Sequence, residues 1–260
     1  MAEFSASTGR LSIHAIRQAC GTCSLADLCL PVALSSDDVA ALDRIVQRRR
    51  PLAEGDALYR AGDRFNAIYA VRTGSLKASC VSEDGEEQIT AFHLPGELTA
   101  LDAITLGRHP STALALETTS VCEIPFGQLE HLAESVPGLQ RQLLRIMSRE
   151  IVSEQRMLQT LGRRTAEQRL AIVLTNLSDR FVRRGLAPDR FRLPMSRHDL
   201  GNYLGLAPET MSRLFRRFVD RGWISAENRE VELLDRSALS ALSGISPQSS
   251  DRAATGSGLG

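Results

Sequence analysis

Glycine recurs at short intervals from about Arg48 to Glu130, each time inside a polar turn, and this punctuation confines the region to short strands. The turns read Glu54-Gly55-Asp56, Ala61-Gly62-Asp63, Arg72-Thr73-Gly74, Glu83-Asp84-Gly85 and Pro95-Gly96-Glu97. Between them lie runs of β-type content such as Ala67-Ile68-Tyr69-Ala70-Val71 and Gln88-Ile89-Thr90-Ala91-Phe92. Many short strands at this spacing predict an antiparallel barrel or roll, although spacing alone also admits a β-sandwich.

Helical patterns flank that region. Ser35 to Val46 opens on an N-cap serine with Asp38 at the capping-box position, and Val39, Leu42 and Val46 recur at helical spacing. A longer pattern runs from Pro137, a favoured first-turn residue, to Leu161. At 1.5 Å per residue it would be on the order of 37 Å long, more than one small domain needs. Leu144, Met147, Ile151, Glu154, Leu158 and Leu161 follow one another at spacings of 3, 4, 3, 4 and 3, the seam of a two-stranded coiled coil. Glu154 breaks the apolar seam. In a parallel homodimer its two copies would face each other, so either dimerisation is held marginal by their repulsion or the side chain snorkels to solvent at little cost.

After more helices (Thr165 to Arg184), Ser196-Arg197-His198-Asp199 starts a short helix with a hydroxyl cap and an acid three residues on. It breaks at Gly205, and Pro208 opens a second helix that ends before Gly222. Two short helices on a tight glycine turn predict a helix-turn-helix, with Trp223-Ile224 and Val231-Glu232-Leu233 as a hairpin wing. Glu209, Ser212 and Arg213 share one face at the start of the second helix, where a carboxylate can accept from cytosine and a guanidinium can donate in pairs to guanine. Arg197, Arg216 and Arg217 suit phosphates, with Arg221 further along. The cap of this helix falls on Ala207, which costs about 1 kcal/mol relative to Ser or Thr. Charge supports the reading. The chain is neutral overall, yet residues 161–222 hold 13 Arg against 6 acids, a formal +7 that leaves −7 elsewhere. Double-stranded DNA is the expected partner of such a module.

The polar start from Met1 to Arg10 has no apolar run, and no stretch approaches the roughly 18 apolar residues of a membrane span, so a cytoplasmic location without membrane contact is expected. In a reducing compartment the five cysteines are metal ligands, reactive thiols or buried residues before they are disulfides. Cys20, Cys23 and Cys29 give C-x2-C-x5-C, three thiols on one loop. A tetrahedral ion or a cubane needs a fourth ligand. Cys80 alternates with apolar neighbours and is expected to be a buried core thiol, whereas Cys122 in Val121-Cys122-Glu123-Ile124-Pro125 leads towards the seam helix. Zinc and an iron–sulfur cluster both suit this spacing. An enzyme is not expected: the chain has no phosphate loop, dinucleotide fingerprint or triad, and His14, His93, His109, His131 and His198 are scattered.

Over roughly Ala19 to Ser243 the sequence resembles the CRP/FNR superfamily, and within it the FNR/Anr oxygen-responsive branch. The motifs are the cysteine spacing with the distant Val-Cys-Glu-Ile-Pro, and Glu209-Thr210-Met211-Ser212-Arg213, which matches E-x-x-S-R. The resemblance implies an α+β chain: an N-terminal antiparallel β-roll of the cyclic-nucleotide-binding type, a long dimerisation helix and a C-terminal winged helix-turn-helix. It implies a [4Fe–4S] cluster on Cys20, Cys23, Cys29 and Cys122, with Cys80 outside the ligand set. It also implies a homodimer reading TTGAT half-sites of a palindromic operator, lost when oxygen degrades the cluster, that controls genes of anaerobic metabolism. Contact with RNA polymerase would use the loop Ser82 to Glu87. The alternative is a regulator of the same fold with structural zinc and another small-molecule signal. Cyclic-nucleotide-binding relatives hold their ligand with a Gly-Glu and an Arg-Ser pair. Here the matching stretches are Ala100-Leu101 and Ser111-Thr112, without that acid or arginine, so a cyclic nucleotide is not expected. The expected layout is a disordered N-terminus (1–18), a cysteine-rich cluster loop (19–34), the β-roll (35–136), the dimerisation helix (137–161), the DNA-binding domain (162–244) and a disordered tail (245–260).

Overall fold

The structure, a computed structural model, describes residues 20–32 and 34–244, so the expectations for 1–18 and 245–260 lie outside it. A short 3-10 turn at Cys20–Thr22 precedes helix α1 (Ser36–Ile45). Eight strands follow: β1 (Gln47–Arg48), β2 (Ala57–Tyr59), β3 (Ala67–Thr73), β4 (Leu76–Val81), β5 (Glu87–His93), β6 (Leu98–Thr99), β7 (Thr112–Ala115) and β8 (Ser120–Pro125). Then come α2 (Phe126–Ser135), α3 (Pro137–Arg163), α4 (Ala166–Val182), β9 (Arg190–Arg192), α5 (Arg197–Leu204), α6 (Pro208–Asp220), β10 (Ile224–Glu227), β11 (Glu230–Leu233) and α7 (Arg236–Ser243).

The glycine-punctuated strands form two antiparallel sheets, in the orders β1-β8-β3-β6 and β2-β7-β4-β5. Their inner faces enclose a core of Leu58, Tyr59, Tyr69, Val71, Leu76 and Val121 among others. This is the expected roll. One alternation is read differently by the structure. The register of β4 on β5 shifts between Ala78 and Ser79, the unpaired residue being Thr90 of β5, while β4 stays in register with β7 over Leu76–Ser79. Cys80 is half-buried near the end of β4, beyond the last residue paired to β7, its Sγ 3.8 Å from the Pro110 carbonyl, and is no core thiol.

Helix α3 runs two residues past the expected end and carries no polar cap at Val136, where Pro137 opens it. Leu139 and Ile146 on its inner side join Leu30, Leu42, Ile68, Ile124 and Leu129 in a second core. That core places the cysteine loop, β8 and the first half of α3 in one packed unit.

The C-terminal domain has its own apolar centre in Leu170, Leu174, Leu200, Met211, Phe215 and Phe218, and it extends onto Ile89, Phe92 and Leu94 of the roll. Helix α4 starts on a full capping box, Thr165 with Gln168. The predicted wing, β10 with β11, gains a third strand, β9, paired to β11. Arg190-Phe191-Arg192 carries no strand signal of its own, because one apolar residue between two arginines is too short a run.

Candidate DNA-reading helix and cysteine site

The cysteine loop is coiled by its own backbone. Cys23 N–H donates to Cys20 O at 3.3 Å, Ala26 N–H to Cys23 O at 3.1 Å and Cys29 N–H to Leu25 O at 3.1 Å. These turns bring Cys20, Cys23 and Cys29 onto one cavity with Cys122 of β8, walled by apolar side chains that include Leu30, Leu42 and Ile124. Cys80 does not line it. Asp43 of α1 anchors the loop by accepting from Cys20 N–H and from Arg48 Nη2, each at 3.0 Å. Arg48 is the register partner of Cys122 across β1 and β8. Burial pushes the Cys20 and Cys29 thiols up to about 12, and it raises Cys122 against the opposing pull of Arg48 and Arg72. Bound metal would thus have to displace protons from these groups. Among the described residues no group of three or more His, Cys, Asp or Glu is arranged to hold a single metal ion. The four soft sulfur donors and the apolar wall fit an iron–sulfur cluster.

The loop also touches α3. Gln142, 1% exposed, donates from Nε2 to the Cys29 carbonyl at 3.1 Å. Sequence reasoning missed this residue; the available signal was a polar side chain at helical spacing between Leu139 and Ile146. On the outer face of α3, Leu144, Ile151 and Leu158 are 61%, 54% and 70% exposed, and Met147 is 37% exposed. Glu154 is exposed in the same row and Leu161 is half-buried. So much uncovered apolar surface on one stripe calls for a partner helix.

In the helix-turn-helix, Ser196 and Asp199 form the capping box of α5. Gly201 lets α6 approach: a Cβ there would lie 2.9 Å from the Leu206 carbonyl and from Met211 Cγ. Ala207 caps α6 with no side-chain bond, as expected. Met211, Leu214, Phe215 and Phe218 are buried beneath, while Glu209, Ser212, Arg213, Arg216 and Arg217 are exposed on the outside. Arg213 is steered by a 3.2 Å bond to Thr210 Oγ1. Two of the expected phosphate contacts have intramolecular partners. The Arg197 guanidinium lies 4.4 Å from the Phe215 ring centre, and Arg217 is paired with Glu167 of α4. A phosphate would compete with that carboxylate for Arg217.

Around the stretches matching the cyclic-nucleotide contacts, side chains bond to one another. Ala100 has φ +71, His109 stacks on Tyr59 at 3.9 Å and the Tyr59 hydroxyl meets Thr99 Oγ1 at 2.8 Å. Asp102, which sequence reasoning overlooked, accepts from Ser111 Oγ at 3.0 Å. A carboxylate beside that serine repels a phosphodiester.

A two-sheet roll, a long helix with a bare apolar stripe and a winged helix-turn-helix define a DNA-binding regulator of two domains. The comparisons agree. Residues 49–136 match the cyclic nucleotide-binding domain family and residues 168–242 the Crp-like helix-turn-helix domain. The transcriptional activator FnrA of Stutzerimonas stutzeri is 53% identical, covering 90% of this chain and 96% of its own. The transcriptional activator anr of Pseudomonas aeruginosa is 52% identical with the same coverage. The solved structure of FixK2 from Bradyrhizobium japonicum superposes with a TM-score of 0.70 at 29% identity, covering 78% of this chain and 99% of that one. The chain belongs to the CRP/FNR family of transcription regulators, in its FNR/Anr branch.

Proposed function

We propose that this protein is an oxygen-responsive transcription regulator of anaerobic metabolism, and that a [4Fe–4S] cluster on Cys20, Cys23, Cys29 and Cys122 stabilises the DNA-binding homodimer. The observation that carries the reading is the shared cavity: four thiols from two distant segments face one apolar space, and the carbonyl of one of them is held by Gln142 of α3. Four soft donors without a carboxylate or imidazole suit iron and sulfide. When bound, the cluster supplies oxygen-labile cross-linking of loop and β8. The chain's own residues do the rest: Asp43 and Arg48 fix the loop, Gln142 ties it to α3, and the exposed stripe Leu144 to Leu161 seats the partner.

On DNA, Glu209, Ser212 and Arg213 would read a TTGAT-type half-site in a palindromic operator, with Arg197, Arg216 and Arg217 towards phosphates. The turn from Ser82 to Glu87, exposed between β4 and β5, is the proposed contact for RNA polymerase. The chain acts in the cytoplasm on this reading. Two measurements test it. Protein purified without oxygen should carry about four irons and four sulfides per chain, and zinc without sulfide would sink the cluster assignment. Arg213→Ala should weaken operator binding roughly tenfold to a hundredfold and relax preference at one base pair. Equal loss on every sequence would make Arg213 a phosphate contact instead.

A further inference from the structure

The wall of the cysteine cavity and the grip on the DNA-binding domain are consecutive residues. Gly96 lines the cavity, and a Cβ on it would sit 2.8 Å from Leu28 Cβ, so the loop between Cys23 and Cys29 rests directly on the Pro95-Gly96-Glu97 turn. Its φ of +88 excludes a side chain on conformational grounds as well. Glu97 does not line the cavity. Its carboxylate accepts from Arg180 Nε at 3.0 Å, Arg180 Nη2 at 2.5 Å and Arg184 Nη2 at 2.7 Å. Both arginines lie on or just beyond α4 and also clasp the backbone around the turn: Arg180 Nη2 donates to Phe92 O at 2.6 Å and Arg184 Nε to Pro95 O at 2.8 Å. The cluster is sheltered, with side-chain exposures of 15% for Arg180, 6% for Arg184 and 25% for Glu97. Burial alone would raise the Glu97 carboxyl, yet Arg180 and Arg184 hold it at about 2.

A second clamp lies on the edge strand β5. The Asn202 amide of α5 donates to Glu87 O at 2.6 Å and accepts from Ile89 N–H at 2.6 Å, while Lys77, the chain's single lysine, reaches Asp199 at 2.8 Å. That clamp holds the domains together but does not touch the cysteine cavity. The Glu97 turn does both within three consecutive residues.

We propose that Glu97 is a positioning residue that passes the state of the cysteine loop to the DNA-binding domain of the same protomer, so that operator affinity depends on the loop apart from dimerisation. The inference rests on the cluster reading above. A part-buried, fully bonded ion group resists displacement, because a shifted carboxylate leaves a guanidinium without its partner in a poorly solvated place. A loop that moves Leu28 therefore moves Gly96, and Glu97 carries α4 and the reading helix with it. The route through Gln142 and α3 governs association; this one runs from the Glu97 turn directly to α4, with Glu150 of α3 beside it.

The test compares Glu97→Gln and Glu97→Asp with the unchanged full chain, all purified without oxygen. Iron and sulfide on the unchanged chain are counted first, which separates a failure of the cluster reading from a failure of this inference. At concentrations where sedimentation shows full dimer, Glu97→Gln should hold the same iron and sulfide yet bind operator about tenfold more weakly, with Glu97→Asp recovering part of the loss. Equal operator affinity at equal dimer fraction would overturn the proposal. Hydrogen exchange on the unchanged chain gives an answer that needs no variant. On removal of iron with a chelator at dimer-retaining concentration, residues 94–98 and 178–186 should lose protection together. Loss confined to the cysteine loop and α3 would also overturn it.

Discussion

Glu150 shows how one side chain can report on several elements. It stands on α3, where burial, Glu97 and Glu154 raise its carboxyl to about 6, against the lowering pull of Arg180 and Arg149. A carboxyl raised above its ordinary value favours the uncharged form in the fold. Its contribution is thus full below about pH 4.5 and is lost as pH rises through about 6. Glu150→Gln should accordingly raise stability at pH 7.5 by roughly 1 kcal/mol and flatten the profile between about pH 5 and 7. Urea unfolding across that range checks this, and a variant curve running parallel to the unchanged one would refute it. At the same scale some site residues could be read directly. Cys20, Cys23 and Cys29 announce themselves by spacing, and Glu209, Ser212 and Arg213 by their position after Pro208. Gln142, Asp102 and Glu97 did not, because each acts on a residue distant in the chain and belongs to no local pattern.

Among the elements, α3 is the one whose sequence states its use most plainly. The heptad spacing survives as an apolar stripe, exposed at Leu144, Met147, Ile151 and Leu158 and half-buried at Leu161, because a seam must stay bare until its partner arrives. Glu154 interrupts the stripe and is exposed in the single chain. Its two copies would approach in a parallel dimer, so Glu154→Ala should tighten dimerisation of the cluster-free protein about tenfold, read by sedimentation equilibrium. No gain would mean that the side chain escapes to solvent and that dimerisation is marginal for another reason. The strands were less legible. Turn glycines located them, but Cys80 is half-exposed where the pairing of β4 with β7 stops at Ser79, a property of the pairing and not of β4 alone. The strand β9 is defined by β11 far along the chain. Alternation within one strand cannot reveal either, since both arise from register.

For the whole molecule, sequence indicated the three parts but not how they meet. The roll, the long helix and the winged domain each carry a local signature, while the Glu97–Arg180–Arg184 group and the Asn202 clamp join residues about 80 to 115 positions apart. Such contacts depend on the finished packing of two cores and leave no periodic trace. The resulting arrangement gives the cysteine loop two outlets, Gln142 to the dimer helix and the Glu97 turn to the DNA-binding domain. Both place the loop upstream of DNA binding, which is the central claim. The most direct test follows absorbance, sedimentation and operator binding together while air is admitted to protein purified without oxygen. The account predicts that the iron–sulfur absorbance fades, dimer converts to monomer and operator binding is lost with one time course. A dimer that keeps its size and its operator affinity after the absorbance has gone would contradict it.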